Sequence, residues 1–319
     1  MHRPDRTVIQ LSDPHLRAEP GPADDRLALA LATVGDGGAE PAALLLTGDL
    51  SHDGSVASYR RLAATIERFA GTGALVGADG DGFGGPLVHA DGEGAGDARA
   101  VGGGGATSGG RPATGGGRPL PMVVVPGNHD DVETLRRTLR DGEPIDRSVR
   151  VGGLRIVALD STAAGAHHGE LSDAQLEWLR AELAVAAPEG TILALHHPPL
   201  RNPHPVSARI ALRDPERLAA VVAGTDVRQI VCGHAHATAA GTLAGIPVWS
   251  APALGSTTDA LPPAGRLRAY DDIGGLTRID LFGPDTVTTR VPLTARPAWR
   301  YDDPEAERIA GLERQAARG

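Results

Sequence analysis

MVVVPGNHDD, residues 122–131, sets a run of four apolar side chains against a turn that carries an amide, an imidazole and two carboxylates. An unbroken apolar run closed by Pro and Gly reads as a strand buried on both faces, the kind found inside layered α/β folds. Similar runs stand at Thr7–Leu11, Leu44–Thr47, Arg155–Leu159, Ile192–Leu195 and Gln229–Cys232. Helical periodicity fills the intervals over Asp25–Val34, Val56–Phe69, Val132–Arg140, Asp173–Ala187 and Pro215–Ala223. The fourth helix has the clearest signature. Ser172 with Gln175 makes a capping box, and Leu176, Leu179 and Leu183 form one apolar stripe. Trp178 is expected to pack on the core, and Cys232 to be a small core residue. After Gly241, the stretches GTLAGIPVWSAPAL, GLTRIDLF and DTVTTRVPL read as consecutive strands that add antiparallel sheet.

Five of the strand candidates end in polar clusters: Asp13-Pro14-His15, Gly48-Asp49, Gly127-Asn128-His129-Asp130, His196-His197-Pro198 and Gly233-His234-Ala235-His236. In α/β sheets ligands bind at the carboxyl ends of the strands, so these clusters are expected to converge at one rim. Mixed nitrogen and oxygen donors suit Zn, Mn or Fe better than the all-oxygen sites that Ca and Mg prefer. Several neighbours keep two readings. Asp130 either orients His129 and its loop or caps the helix that starts near Val132. His197 faces a substrate or bonds within its own turn. His52 lines the pocket or is an exposed loop residue, and His167 and His168 are rim contacts or solvated. His204, in the RNPHPVS loop, contacts a base or ribose or is solvated.

Taken in this order, the clusters resemble the signature of the calcineurin-like metallophosphoesterases, over about residues 7–294 with a Gly-rich insertion excluded. Four stretches are most similar to bacterial class III cyclic nucleotide phosphodiesterases of actinobacterial type. They are HHGELSDAQLEWLRAEL (167–183), GTILALHHPPL (190–200), ALRDPERLAAVVAGTDVR (211–228) and AGIPVWSAPAL (244–254). The resemblance implies a four-layer α/β/β/α sandwich with two mixed β-sheets. It implies two divalent or mixed-valence metal ions, Fe, Mn or Zn. Asp13, His15 and His236 would hold one ion, Asn128, His196 and His234 the other, and Asp49 would bridge them. His129 would contact the phosphoryl oxygen and protonate the departing alkoxide. The implied reaction is hydrolysis of 3′,5′-cyclic AMP, and more weakly cyclic GMP, to the 5′-nucleotide by in-line attack of a metal-bridging hydroxide. His197, His52 and His204 are the candidate substrate contacts. The alternatives are the same machinery acting on other phosphodiesters, phosphomonoesters or pyrophosphates, and a non-catalytic scaffold, which the full set of ligand-type residues argues against. Homodimers occur among similar enzymes, with no direct sign of one in this sequence.

Composition narrows the partners. With 31 basic and 40 acidic side chains the net charge is −9, which argues against a general nucleic-acid binder. The single cysteine, Cys232, allows no intrachain disulfide framework. No apolar run reaches signal-peptide or membrane-spanning length, so a cytoplasmic protein is expected, and the resemblance implies a small-molecule nucleotide as its substrate. Of the 43 glycines, 19 lie between Gly71 and Gly117. This Gly-rich stretch cannot bury enough apolar surface to offset ordering. All the basic residues are Arg, so a P-loop lysine is absent. The expected organisation is one metallophosphoesterase domain over residues 1–295, interrupted by an insertion at 77–118, with a charged tail at 296–319. The insertion separates Asp49 from Asn128.

Overall fold

The computed structural model of the chain describes residues 3–37, 40–70, 120–202, 204–271 and 273–293. The expected insertion and the charged tail lie outside the described residues. β1 (Arg6–Leu11), β2 (Ala43–Thr47), β3 (Met122–Val125), β12 (Gly274–Phe282) and β13 (Asp285–Leu293) form a five-stranded sheet in the order β13-β12-β1-β2-β3. β1, β2 and β3 are parallel, and β12 and β13 run antiparallel to their neighbours. The second sheet has six strands: β4 (Arg147–Val151), β5 (Leu154–Ala158), β6 (Thr191–Ala194), β7 (Val227–Cys232), β8 (Ala239–Leu243) and β9 (Ile246–Ser250). Their order is β4-β5-β6-β7-β9-β8, with the two outermost pairings antiparallel and the rest parallel. β10 (Thr257–Thr258) and β11 (Ala269–Tyr270) make a separate two-stranded ribbon.

Period-two burial in the second sheet shows how the layers stack. Ile156, Ala158, Ile192, Ala194 and Val231 share a core with β1–β3 and with α1 (Pro22–Asp36), α2 (Val56–Ala70) and α3 (Val132–Leu139). The alternate residues Val157, Leu159, Leu193, Leu195, Ile230 and Cys232 pack instead with α4 (Asp173–Leu183) and α6 (Pro215–Val222). The result is the expected α/β/β/α sandwich. α5 (Pro205–Arg209) is a short turn of helix on the rim loop. No helix among the described residues is long and apolar enough to cross a membrane.

One local expectation is corrected and two details are added. α4 stops at Leu183, four residues short of Ala187, because the fully buried Arg155 guanidinium donates to the carbonyl oxygens of Glu182 and Val185 and takes up the helix end. β4, an edge strand of sequence RSVRV with half-exposed arginines, carries no apolar run and is absent from the sequence reading. The late strands add antiparallel pairs as expected, but to two sheets, with β9 also pairing parallel to β7. β8 and β9 join the second sheet and β12 and β13 the first, so both sheets are completed from the C-terminal third.

Candidate metal centre

Strand polarity brings the clusters together. Asp13 and His15 follow β1, Asp49 follows β2, Asn128 and His129 follow β3, His196 and His197 follow β6, and His234 and His236 follow β7. Asp13, His15, Asp49 and His236 bring one donor atom each to within 4.8 Å of one another, and so do His196, His197 and His234. Asp49 lies between the two groups. Its Oδ2 is 3.6 Å from His15 Nε2 and its Oδ1 is 3.5 Å from His196 Nε2. Asp13 is fully buried, accepts from the Ser12 hydroxyl and the His234 amide, and has Oδ1 3.3 Å from His236 Nε2.

The backbone is bent to make this arrangement. Asp13, His15, Asp49, His234 and His236 all have φ between 50° and 67°, the left-handed region that non-Gly residues seldom occupy. Such conformations cost about 1–3 kcal/mol each and persist where the surroundings over-determine them, typically at functional sites. The motif glycines have a steric reason as well. A Cβ on Gly127 would come 2.2 Å from Asp49 Oδ1, and one on Gly48, at φ +89°, 2.2 Å from His196 Nδ1.

Neighbouring groups set the imidazole tautomers. His196 Nδ1 lies 2.8 Å from the Thr47 carbonyl oxygen, which can only accept, so Nδ1 is protonated and Nε2 faces Asp49. Ser161 Oγ accepts from the amides of His196 and His197 and lies 2.9 Å from His197 Nδ1. With both lone pairs used, the hydroxyl donates to His197 Nδ1, and the neutral ring carries its proton on Nε2. His197 is thereby a donor aimed toward the site rather than a free lone pair. His236 Nδ1 is held by Ser256 Oγ at 2.9 Å.

Charge follows from burial and neighbours. Burial disfavours a charged His196, but Asp49 outweighs it and raises the imidazole to about 9. His15 is lowered to about 4 and His234 to about 3, in both cases chiefly by burial. Burial raises Asp130 to about 7, with the Asp49 charge adding to it. His52 is pushed below its ordinary value by burial and by the charge of Arg17.

The structure resolves the readings left open for several residues. Asp130 orders the loop: its carboxylate accepts from the amides of Leu50, Ser51 and Gly127 and from the Tyr59 hydroxyl. The helix cap is the next residue, Asp131, which accepts from the Thr134 amide. His129 donates its amide to Asp49 Oδ1, and its ring stacks on His52 with centroids 5.0 Å apart. His167 contacts Asn128, with Nδ1 3.2 Å from Nδ2, while His168 pairs with Glu170. His204 lies apart from both donor groups, at the N-cap of α5, with Nε2 3.0 Å from the Arg266 carbonyl oxygen. The sequence reading missed Ser12, Thr47, Ser161, Ser256 and Tyr59 as groups that hold the site. Only the adjacency of Ser12 and Thr47 to motif residues hints at them.

A profile of the calcineurin-like phosphoesterase family matches residues 101–238, which contain the Gly-Asn-His-Asp, His-His-Pro and Gly-His-x-His clusters. Over 299 residues the chain is 37% identical to a cAMP/cGMP dual specificity phosphodiesterase of Mycobacterium tuberculosis, covering 91% of this chain and 80% of that protein. The chain belongs to the calcineurin-like phosphoesterase family. It is also 35% identical to a probable cyclic nucleotide phosphodiesterase of Rhodococcus erythropolis, over 92% of this chain and 85% of the relative. Among solved structures, GAP50, the anchor in the inner membrane complex of Plasmodium, superposes with a TM-score of 0.52 at 10% identity, covering 98% of this chain and 94% of that one, a likeness of fold alone.

Calcineurin-like phosphoesterases use a dinuclear metal site, and the donors of this phosphoesterase fit one. His196 Nε2, both ring nitrogens of His234 and Asn128 Oδ1 are buried without a hydrogen-bonding partner among the described residues. His15 Nε2 and His236 Nε2 face each other at 3.0 Å. Orphaned buried polar atoms are costly unless something else satisfies them, and a cation does so for an amide oxygen and for one nitrogen of each imidazole, displacing the His196 Nε2 proton.

Proposed function

We propose that this phosphoesterase opens 3′,5′-cyclic AMP, and more weakly cyclic GMP, to the 5′-nucleotide. The observation that carries the reading is the Asp49 carboxylate, one oxygen 3.6 Å from His15 Nε2 and the other 3.5 Å from His196 Nε2. A carboxylate in that position serves two cations at once and offsets part of their repulsion. The names of the two relatives above support the nucleotide as substrate.

In this reading Asp13, His15 and His236 hold one ion, Asn128, His196 and His234 the second, and Asp49 both; Fe, Mn and Zn suit the set. Bound there, two such ions supply Lewis-acid neutralisation of the phosphoryl charge and an activated water. The protein's own groups do the rest. The Ser12 and Thr47 contacts fix Asp13 and His196 so that their donor atoms face inward. His197 presents Nε2–H toward a phosphoryl oxygen. His129, tied to Asp49 by its amide and braced by the His52 ring, delivers the proton to the departing O3′.

The test is a metal-supplemented hydrolysis panel of cyclic AMP, cyclic GMP, nucleoside 2′,3′-cyclic phosphates, bis-aryl phosphodiesters, phosphomonoesters and pyrophosphate. Cyclic AMP is expected to have the highest kcat/KM, with cyclic GMP below it. A preference of orders of magnitude for any other member overturns the substrate assignment.

A further inference from the structure

We propose that the nucleoside half of the substrate occupies the recess between the segment after β1 and the His52 and His129 rings, and that Arg17 is its specificity-determining residue. The inference rests on the cyclic nucleotide reading above and deepens it.

Among the described residues, three cavities that border the centre differ in what they reach. One of about 660 Å³ meets His234 and is walled by Pro198, Leu200 and Ile210. Another, of about 320 Å³, lies between Asn128 and the loop from Thr162 to His167. The third, of about 390 Å³, is lined by His15, His52, His129 and His236 together with Arg17. Of these three, the last alone includes His129. A group that protonates a leaving oxygen must come within hydrogen-bond reach of it, about 2.6–3.2 Å. In a 3′,5′-cyclic nucleotide the leaving atom is O3′ of the ribose itself. As the P–O3′ bond breaks and the proton passes from His129 to O3′, the ribose must therefore lie against His129. The base, fixed to that ribose, then extends into the cavity His129 lines. The larger apolar cavity, attractive for a base on hydrophobicity alone, opens on His234 instead and does not contain the proton donor.

Glu19, Asp24 and Asp271 bring carboxylates to this recess, and of its two guanidinium groups one is uncommitted among the described residues. The Arg26 guanidinium is committed to the carbonyl oxygens of Gly255 and Asp271, and Asp24 is committed to Arg61. Arg17 lines the recess, and its guanidinium makes no hydrogen bond or ion pair among the described residues. Five N–H donors on a planar cation suit the ring-nitrogen acceptors of a purine and stack on its face. A small aryl phosphodiester offers no such acceptors.

The experiment compares KM and kcat of the metal-loaded enzyme on cyclic AMP and on a bis-aryl phosphodiester, for the parent protein, Arg17→Ala, Arg17→Lys and Ala240→Trp, the last filling the apolar cavity. Arg17→Ala is expected to shift the ratio of the two KM values about tenfold against cyclic AMP, the size of a lost charged hydrogen bond, with the change in KM rather than kcat. Arg17→Lys should recover part of it. A ratio that moves in Ala240→Trp and not in Arg17→Ala overturns the placement and puts the nucleoside in the apolar cavity. A parent enzyme that cleaves the aryl diester but neither cyclic nucleotide overturns the substrate reading and this inference with it. That outcome is seen before any variant is made, so the two failures are distinct.

Discussion

His196 donates its Nδ1–H to the Thr47 carbonyl oxygen at 2.8 Å, so any change of state at this imidazole takes place at Nε2, the nitrogen that faces Asp49. In the metal-free protein Asp49 raises His196 to about 9, whereas His15 and His234 are lowered to about 4 and 3 and are neutral at pH 7. Uptake of a cation at Nε2 must therefore expel one proton from His196 at neutral pH and none well above pH 9. Affinity at that position should rise about tenfold per pH unit up to about 9. Calorimetric titration with Mn or Zn in buffers of different ionisation enthalpy reads the proton directly. For the chelated protein, the raised imidazole adds stability that is complete below about pH 6.5 and lost as pH rises through 9. Its melting temperature should fall over that interval, and a rise would contradict the assignment.

Gly127 leaves no room for a side chain. A Cβ there would lie 2.2 Å from Asp49 Oδ1 and 2.7 Å from His196 Nε2. Gly127→Ala should keep the circular dichroism of the fold while lowering kcat at least about 100-fold, the scale expected when catalytic groups shift by about 1 Å. Near-parental turnover would mean that the Gly-Asn-His-Asp turn yields more than this packing allows.

Asp130 collects three backbone amides and the Tyr59 hydroxyl on one carboxylate. Asp130→Asn sets an NH2 against N–H donors, and should cost about 1–3 kcal/mol of stability by leaving buried groups unpaired. Tyr59→Phe removes two bonds, the donation to Asp130 and the acceptance from the Asp131 amide, but leaves the three amides on the carboxylate, and should cost less, on the order of 1 kcal/mol. Chemical denaturation of the metal-loaded protein distinguishes them, and equal losses would argue against the carboxylate as the organiser of the loop.

Asn128 and His129 are adjacent but should fail differently. Asn128→Ala removes a buried oxygen that has no hydrogen-bonding partner among the described residues, and should lose one metal equivalent together with activity. His129→Ala should retain both ions and lose about 10²–10⁴ in kcat through the missing proton donor. Metal analysis by mass spectrometry beside single-turnover kinetics separates the two, and full occupancy in Asn128→Ala would remove it from the ligand set.

The buried parallel strands were legible because an apolar run such as Leu44–Leu46 or Val123–Val125 admits little else, and their polarity alone carried the clusters to one rim. β4 was not legible, since only Val149 and Val151 alternate as buried positions in its five residues, too short a pattern to stand out beside exposed Arg150. The end of α4 was hidden for a different reason: it depends on Arg155, which precedes the helix in sequence and meets it only in the folded protein. In the site, the motif residues carried their own signal. The supporting hydroxyls of Ser161 and Ser256 did not, because a serine in a turn has many uses and only three-dimensional placement shows which imidazole it fixes. His204 illustrates the converse: a histidine in a Pro-rich loop looked available to ligand, and the fold gives its Nε2 to the Arg266 carbonyl.

β1 lies between β2 and β12, with Arg6 opposite Leu281. During synthesis β1, which leads into Asp13, thus leaves the ribosome well before its second neighbour β12. Until then Val8, Ile9 and Leu11 sit on an open edge, the kind of surface that invites mispairing and chaperone capture. Leu254 and Gly255, whose amides bind the carbonyl oxygens of Ser12 and Asp13, also arrive late. Asp13 acquires its geometry only when the segment after β9 and the β12–β13 pair dock, so a nascent chain that stops before them holds most of the described sandwich and no finished centre.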